Sequence, residues 1–478
     1  MVVPLFLSLA LLQDATEGVY WRRDTIPTPE GVVLEVSGLA ATPEGRVLVA
    51  TRRGEVWWVD GALEGRGENA RFTKFVEGLQ EPLGLHLEDG WIWFVQRGEL
   101  SRMRDTDGDD RADEIVTVCD AWRVGGNYHE YNFGPALGPD GNFWITTNRA
   151  FGGTPFGMHD WRGFTLSIGR DGSMTPVASG LRSPAGVATA PWGDVFYTDN
   201  QGEWCGASKL SQITPGSFHG HPYGIESTRR PEYAWGFPGD PPEGVLMPEV
   251  PALVPSFTLP AVWFPYDKTG RSPSGMAWDL TEGVFGPFAG QLFVGDQYGA
   301  NVNRVVLEQV GDVWQGAVIG FRRDLDCGIV RVAFAPDGSL LVGETSRGWG
   351  SVGARTEGLE RLVWTGALPF EMHALHARPD GFEVTFTKPV DPASVDASTM
   401  TLESYTYELH EAYGSDEMDR AEPPITSATL SDDGLTLQLV VDGLREGYVH
   451  ELALPELRDA DGAPLLHTVA YYTLRRVP

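Results

Sequence analysis

The chain has 478 residues, with 36 Lys and Arg against 66 Asp and Glu, for a formal net charge of −30 at pH 7. That charge argues against nucleic acid and anionic membrane surfaces as partners, because both require basic patches that neutralise phosphate. With 59 glycines, 34 prolines, 16 tryptophans and few helical periodicities, the composition predicts an all-β protein rich in turns, too long for one ordinary core.

Residues 2–12 form an apolar run followed by the polar Gln13 and Asp14. It is too short to span a bilayer and reads as part of a signal peptide covering residues 1–17, so an exported protein, periplasmic or extracellular, is expected. No later segment reads as a membrane span. The three cysteines, Cys119, Cys205 and Cys327, allow at most one disulfide, and the absence of Cys-x-x-Cys-His excludes attachment of a c-type haem.

From residue 18 to 366 a strand–turn–strand unit recurs. Its turn glycines stand at 45, 90, 141, 193, 290 and 338, spaced by 45, 51, 52, 97 and 48 residues. Repeats of this size match a four-stranded propeller blade, and the apolar inner runs fit strands packed on both faces. The 97-residue interval contains no second copy of the motif between Thr214 and Tyr266, a stretch dense in Pro and Gly, so it is read as an insertion. Six blades are therefore expected. Over residues 367–478 the pattern changes to alternation, as in Phe382, Val384, Phe386 and Leu435, Leu437, Leu439, with a turn every dozen or so residues. This predicts an immunoglobulin-like β-sandwich. Its histidines (His373, His376, His410, His450 and His467) read as surface or packing residues.

Three blades share a frame before the innermost strand: Gly78–Gly84, Gly180–Gly186 and Gly270–Gly275. Gln80, Arg182 and Arg271 occupy one equivalent place in it, and Glu130, beside His129, occupies that place in the unit ending at Gly134. Residues entering a propeller's inner strands converge on the central axis, which predicts a shared site there. His129 is the expected general base, because a neutral imidazole is the usual proton acceptor near pH 7. Separately, Asp105, Asp107, Asp109 and Asp113, with the carbonyl of Arg111, present the oxygen donors of a calcium loop. Position 12 of that loop is Val116, so it is no EF-hand. It joins two strands at a blade's outer edge, where a structural ion is expected.

These motifs, together with Gly216–Pro222 and Ser272–Met276, resemble the soluble quinoprotein glucose/sorbosone dehydrogenases, and most closely the dehydrogenase-like propellers of planctomycetes. The resemblance spans most of residues 35–365. It implies a six-bladed propeller carrying pyrroloquinoline quinone (PQQ) and calcium on the axis. By position it implies quinone contacts for Gln80, Arg182, Arg271 and Glu130, and proton abstraction from a sugar or alcohol hydroxyl by His129. A separate electron acceptor such as a cytochrome would complete the cycle. A second calcium near Asp199, Asn200 and Gln201 is also implied. Two of the family's cationic positions are filled otherwise: the stretch Gly295–Tyr298 lacks a lysine, and Gly328–Val330 lacks Arg-x-Arg, with Arg331 out of step. Two other functions fit the same fold, a calcium-dependent lactonase-like hydrolase and a non-catalytic glycan-binding scaffold.

Overall fold

The computed structural model describes residues 17–478. The predicted signal segment lies outside the described residues, apart from Glu17. Six four-stranded antiparallel blades surround an axis, five as separate sheets and one as half of an eight-stranded sheet. The first blade comprises Val36–Ala41, Val47–Thr51, Val56–Asp60 and Arg71–Val76, in that order from the axis outward. The second begins with Leu85–Glu88, the third with Asn132–Leu137, the fourth with Pro184–Thr189 and the fifth with Pro273–Trp278. The sixth runs through Ile329–Phe334, Leu340–Thr345 and Glu357–Trp364. Its outermost strand is Trp21–Thr25, so the two ends of the propeller sequence close the ring by pairing Trp21 with Trp364 and Thr25 with Glu360.

The two-residue period of a strand places successive side chains against opposite neighbours. In the third blade Phe143 and Ile145 pack with Trp93 and Val95 of the second, whereas Trp144 packs with Val195 and Tyr197 of the fourth. Between the fourth blade's third strand, Ser208–Ile213, and its fourth, Val262–Phe264, lies the long insertion, which holds two 3-10 turns and one short helix.

The remaining chain forms a two-layered sandwich. One sheet contains Met372–Arg378, Gly381–Phe386, Thr436–Val441 and Ile425–Leu430; the other contains Val469–Leu474, Tyr448–Ala453, Thr401–Thr406 and Met418–Ala421. In chain order the sheets run first-second-sixth-fifth and eighth-seventh-third-fourth, counting these eight strands. The second sheet is hydrogen-bonded to the propeller: Val469–Leu474 pairs with Val313–Arg322, the outermost strand of the fifth blade, making one eight-stranded sheet. All three cysteines are buried and free, so the disulfide that the sequence allowed is not formed.

His467 departs from the passive role expected of it. It is buried, with Nδ1 on Glu371 at 2.5 Å and Nε2 on Glu17 at 3.0 Å. Glu17 also accepts from Arg322 and from the backbone N–H of Arg323. One imidazole thus ties the start of the described chain, the fifth blade and the sandwich together, and Glu17 belongs to the folded unit. Burial opposes the imidazolium, yet attraction and hydrogen bonds from Glu371 and Glu17 push its pKa up to about 9. A raised folded-state value means that this contribution is complete below the ordinary histidine range and is lost as pH rises through 9. Replacing His467 by Gln should cost about 3 kcal/mol at pH 7 in a denaturant titration. The variant should also lack the share of stability that the wild type loses between pH 7 and 10.

Candidate functional site

The loops entering the inner strands are held by a recurring device. In four of the six blades, a side-chain acceptor at or next to the end of the second strand takes a backbone N–H of the preceding entry loop. Gln96 accepts from Gln80 N at 2.7 Å, Asp199 from Arg182 N at 3.0 Å and Ser183 N at 2.7 Å, Asp296 from Ser272 N at 2.6 Å, and Glu344 from Cys327 N at 3.2 Å. These acceptors are buried, where an unpaired N–H would be costly. Burial pushes the pKa of Asp296 up to about 6 despite its several backbone donors.

The entry loops of the third to fifth blades, and the loops that follow the second strands of the third to sixth, surround a cavity of about 380 Å³. His129 and Phe151 come from the third blade; Arg182, Asn200, Gln201 and Glu203 from the fourth; Tyr266, Arg271 and Tyr298 from the fifth; and Trp349 from the sixth. Tyr413, from the sandwich, completes the wall. The His129 ring lies 4.9 Å from Phe151 and 5.2 Å from Trp349, centroid to centroid. Asn127 positions its loop, accepting from His129 N at 2.9 Å and donating to the carbonyls of Phe151 and Gly153. Burial, and then the charges of Arg97, Arg149, Arg52 and Arg182, hold the imidazole pKa below its ordinary value. That direction favours the neutral imidazole near pH 7.

Arg182 donates to Glu203 from Nε at 3.0 Å and Nη2 at 2.7 Å, and Arg149 reaches the same carboxylate at 2.7 Å. Arg271 pairs with Asp267 and lies over the rings of Tyr298 and Tyr266. The cavity border therefore holds three guanidiniums against two carboxylates, within a chain that is strongly negative overall.

Two expected residues stand elsewhere. Gln80 is exposed and does not line the cavity, because the next residue, Glu81, adopts a left-handed φ of 56° and turns inward in its place. Glu81 closes the second-blade side of the mouth by binding Arg52 and Arg97, each at 2.5 Å. Glu130 is fully buried and folds back on its own loop, accepting from Gly125 N and Asn127 N. Arg331 spans the axis, donating to the carbonyls of Leu83 in the second blade's entry loop and Ala185 in the fourth blade, and has no carboxylate partner among its hydrogen bonds. Asp199 spends both oxygens on backbone N–H groups, which leaves Asn200 and Gln201, rather than Asp199, facing the cavity. The frame motif identified Arg182 and Arg271. Glu203, Tyr298, Trp349 and Tyr413 carried no comparable signal.

The acidic loop sits apart, in the outer hairpin between Glu99–Arg104 and Glu114–Cys119 of the second blade. Carboxylate oxygens of Asp105, Asp107 and Asp109 lie within 4.8 Å of one another. Asp105 accepts from the N–H groups of Asp107, Gly108 and Asp110, whereas Asp113 turns to Thr106 and Arg111 donates its N–H to Asp109. Repulsion from Asp113 and Asp109 raises the pKa of Asp107.

A family model described as a domain of unknown function, DUF7133, matches residues 53–218, about a third of the chain. No curated protein matches. Among solved structures, a Thermus thermophilus oxidoreductase named as a glucose dehydrogenase is 21% identical, with a TM-score of 0.50 over 72% of this chain and 100% of its own. A Trichoderma reesei protein of Carbohydrate-Active Enzymes Family AA12 is 13% identical, with a TM-score of 0.50 over 72% and 96%. The PQQ-bound aldose sugar dehydrogenase of Streptomyces coelicolor is 18% identical, with a TM-score of 0.46 over 72% and 98%. The first two share the propeller fold.

The electrostatic setting of His129 is directly measurable. Its ring protons, followed by NMR, should titrate with a midpoint below about 6.5. Replacing Arg97 by Gln should raise that midpoint, since the first of the four cations is removed.

Proposed function

We propose that the axial cavity oxidises a hydroxyl group of a sugar or alcohol, with His129 as the general base and PQQ as the electron acceptor. The observation that carries this reading is the His129 imidazole in the wall of an open cavity, its ring nitrogens without a hydrogen-bond partner among the described residues and its pKa held below the ordinary value by burial and nearby guanidiniums. Such a nitrogen is free to take the hydroxyl proton. Asn200, Gln201 and Glu203 offer donors and acceptors to neighbouring hydroxyls, while Phe151, Tyr298 and Trp349 provide apolar faces and exclude water.

A polycarboxylate quinone fits the site in charge. Arg149 and Arg182 share one carboxylate, and the field at His129 comes from guanidiniums. When bound, it would supply the acceptor for the hydride that leaves the substrate carbon as the carbonyl forms. Arg182 and Arg271 are the residues best placed to hold it. Export, a separate electron acceptor such as a cytochrome, and calcium in the Asp105–Asp113 loop belong to the same proposal. So does the immunoglobulin-like character of the sandwich, which rests on its strand order. The name of the Thermus structure agrees with a sugar substrate.

A second reading, glycan binding without turnover, draws on the pairing of Arg182 with Glu203 and of Arg271 with Asp267, which leaves less positive charge for a cofactor.

Incubation with PQQ and calcium should yield dye reduction with members of an aldose and alditol panel. His129→Gln should lower kcat by roughly 100-fold or more. The acid limb of the kcat/KM profile should lie below the ordinary histidine range, leaving full activity at neutrality. Saturable glycan binding without dye reduction would favour the second reading, and lactone hydrolysis without quinone a hydrolase. In a separate measurement, saturating calcium at about 100 times its Kd should stabilise the wild type by about 2.7 kcal/mol. Asp107→Ala should lose that gain and match the wild type in chelator.

A further inference from the structure

The sandwich does more than extend a blade. Its segment from Tyr407 to Ser415 crosses to the propeller and is fastened at several points. Glu408–Leu409 pairs with Val245–Leu246 of the insertion, Trp204 N donates to His410 O at 2.8 Å, and Ser415 N donates to Gly206 O at 2.8 Å. Tyr413 bridges Glu203 in antiparallel fashion, and Gly414 N donates to Gly202 O at 3.1 Å. Gly414 has a φ of 66°, and a Cβ there would lie 2.1 Å from the Gln201 side chain, so glycine permits this close approach. The loop is thereby set against the residues that hold Arg182, whose guanidinium lies 5.3 Å from the Tyr413 ring centroid.

Although its backbone is fixed, the Tyr413 side chain is 65% exposed, an unusual state for a large aromatic in a cavity wall. Outside the cavity, beside His129, Tyr128 is 44% exposed. Aromatic surface therefore continues beyond the cavity, past both His129 and Glu203. A ligand no larger than the cavity would leave Tyr128, and much of the Tyr413 ring, in water.

We infer that Tyr413 is a positioning residue for a second ring of the substrate, and that the cavity takes the end of an oligosaccharide chain rather than a free monosaccharide. This rests on the reading of the cavity as a sugar site. The apolar face of a pyranose suits a rigid aromatic platform, and Glu203 and Arg182 beneath it offer an acceptor and a donor to the flanking hydroxyls. On this account the sandwich supplies part of the binding site, which is why its loop is so firmly docked.

The test uses the full chain and equilibrium binding by calorimetry. It compares glucose, xylose and mannose with the matched tetrasaccharides, in the wild type, Tyr413→Ala and Tyr413→Phe. The wild type should bind at least one tetrasaccharide about tenfold more tightly than its monomer. Tyr413→Ala should weaken the tetrasaccharide by roughly 3- to 10-fold, the range expected for one lost aromatic contact, and the monosaccharide by clearly less. Tyr413→Phe, which keeps the platform, should behave as the wild type. Thermal unfolding should be the same for all three proteins, because the ring is exposed and the loop is held by backbone bonds. Monosaccharide binding with no tetrasaccharide advantage, or an equal loss for both ligands in Tyr413→Ala, would overturn the inference and leave the proposed sugar site standing. No binding of either ligand would overturn both.

Discussion

The candidate site depends on one repeated interaction, the capture of an entry-loop N–H by a buried side chain at the end of the neighbouring strand. Asp199 and Asp296 do this in adjacent blades, and Gln96 and Glu344 do it elsewhere around the ring. The second strand of each blade is rigid, packed on both faces, so the acceptor is a fixed point. The loop that it grips must turn at a set height above the axis, and the next side chain is presented to the mouth. Arg182 reaches the cavity because Asp199 holds its own backbone and that of Ser183. Without that grip the guanidinium would sit on a loop free to fold outward.

Charge is arranged against the grain of the whole chain. A protein of net charge −30 gathers Arg52, Arg97, Arg149, Arg182 and Arg271 at one end of its axis. Glu81, Glu203 and Asp267 are set between them as bridges. Each carboxylate limits the repulsion of two close cations, or fixes the direction of one, and the balance that remains still depresses the imidazole of His129. The same arrangement that holds the imidazole pKa down leaves the cavity border with more guanidiniums than carboxylates. Arg331 extends this logic inward, satisfied only by carbonyls and the face of Phe133, with burial pushing its pKa down to about 9.

The propeller and the sandwich share structure as well as chain. A continuous sheet, the His467 clamp and the loop carrying Tyr413 are three separate attachments on different strands. Hydrogen-bonded strands resist sliding, and the buried charge pair resists separation, so the third attachment can hold an exposed aromatic ring in one place. A side chain that is to orient a ligand needs such a base, since disorder in the loop would have to be frozen on binding.

Much of the architecture was legible in the amino-acid order. Alternating apolar residues, turn glycines and the six-fold recurrence are properties of neighbours along the chain, and each blade is a local unit. The insertion was visible for the same reason, as an interval in which the pattern lapses. His129, Arg182 and Arg271 could be brought together because the repeat supplies a coordinate: equivalent positions in equivalent blades meet at the axis. The same logic misplaced Gln80 and Glu130, since a single left-handed residue at Glu81 and a loop closing on its own N–H groups reverse which side chain faces inward. Glu203, Trp349 and Tyr413 lie in loops that no repeat indexes, and Tyr413 comes from another domain altogether. Their place was decided only by tertiary structure, because it follows from contacts between segments far apart in the chain, such as Glu203 with Tyr413 and His467 with Glu17. Local patterning sets which strands form and pair, whereas the side chains that share a cavity are chosen by how separate loops pack.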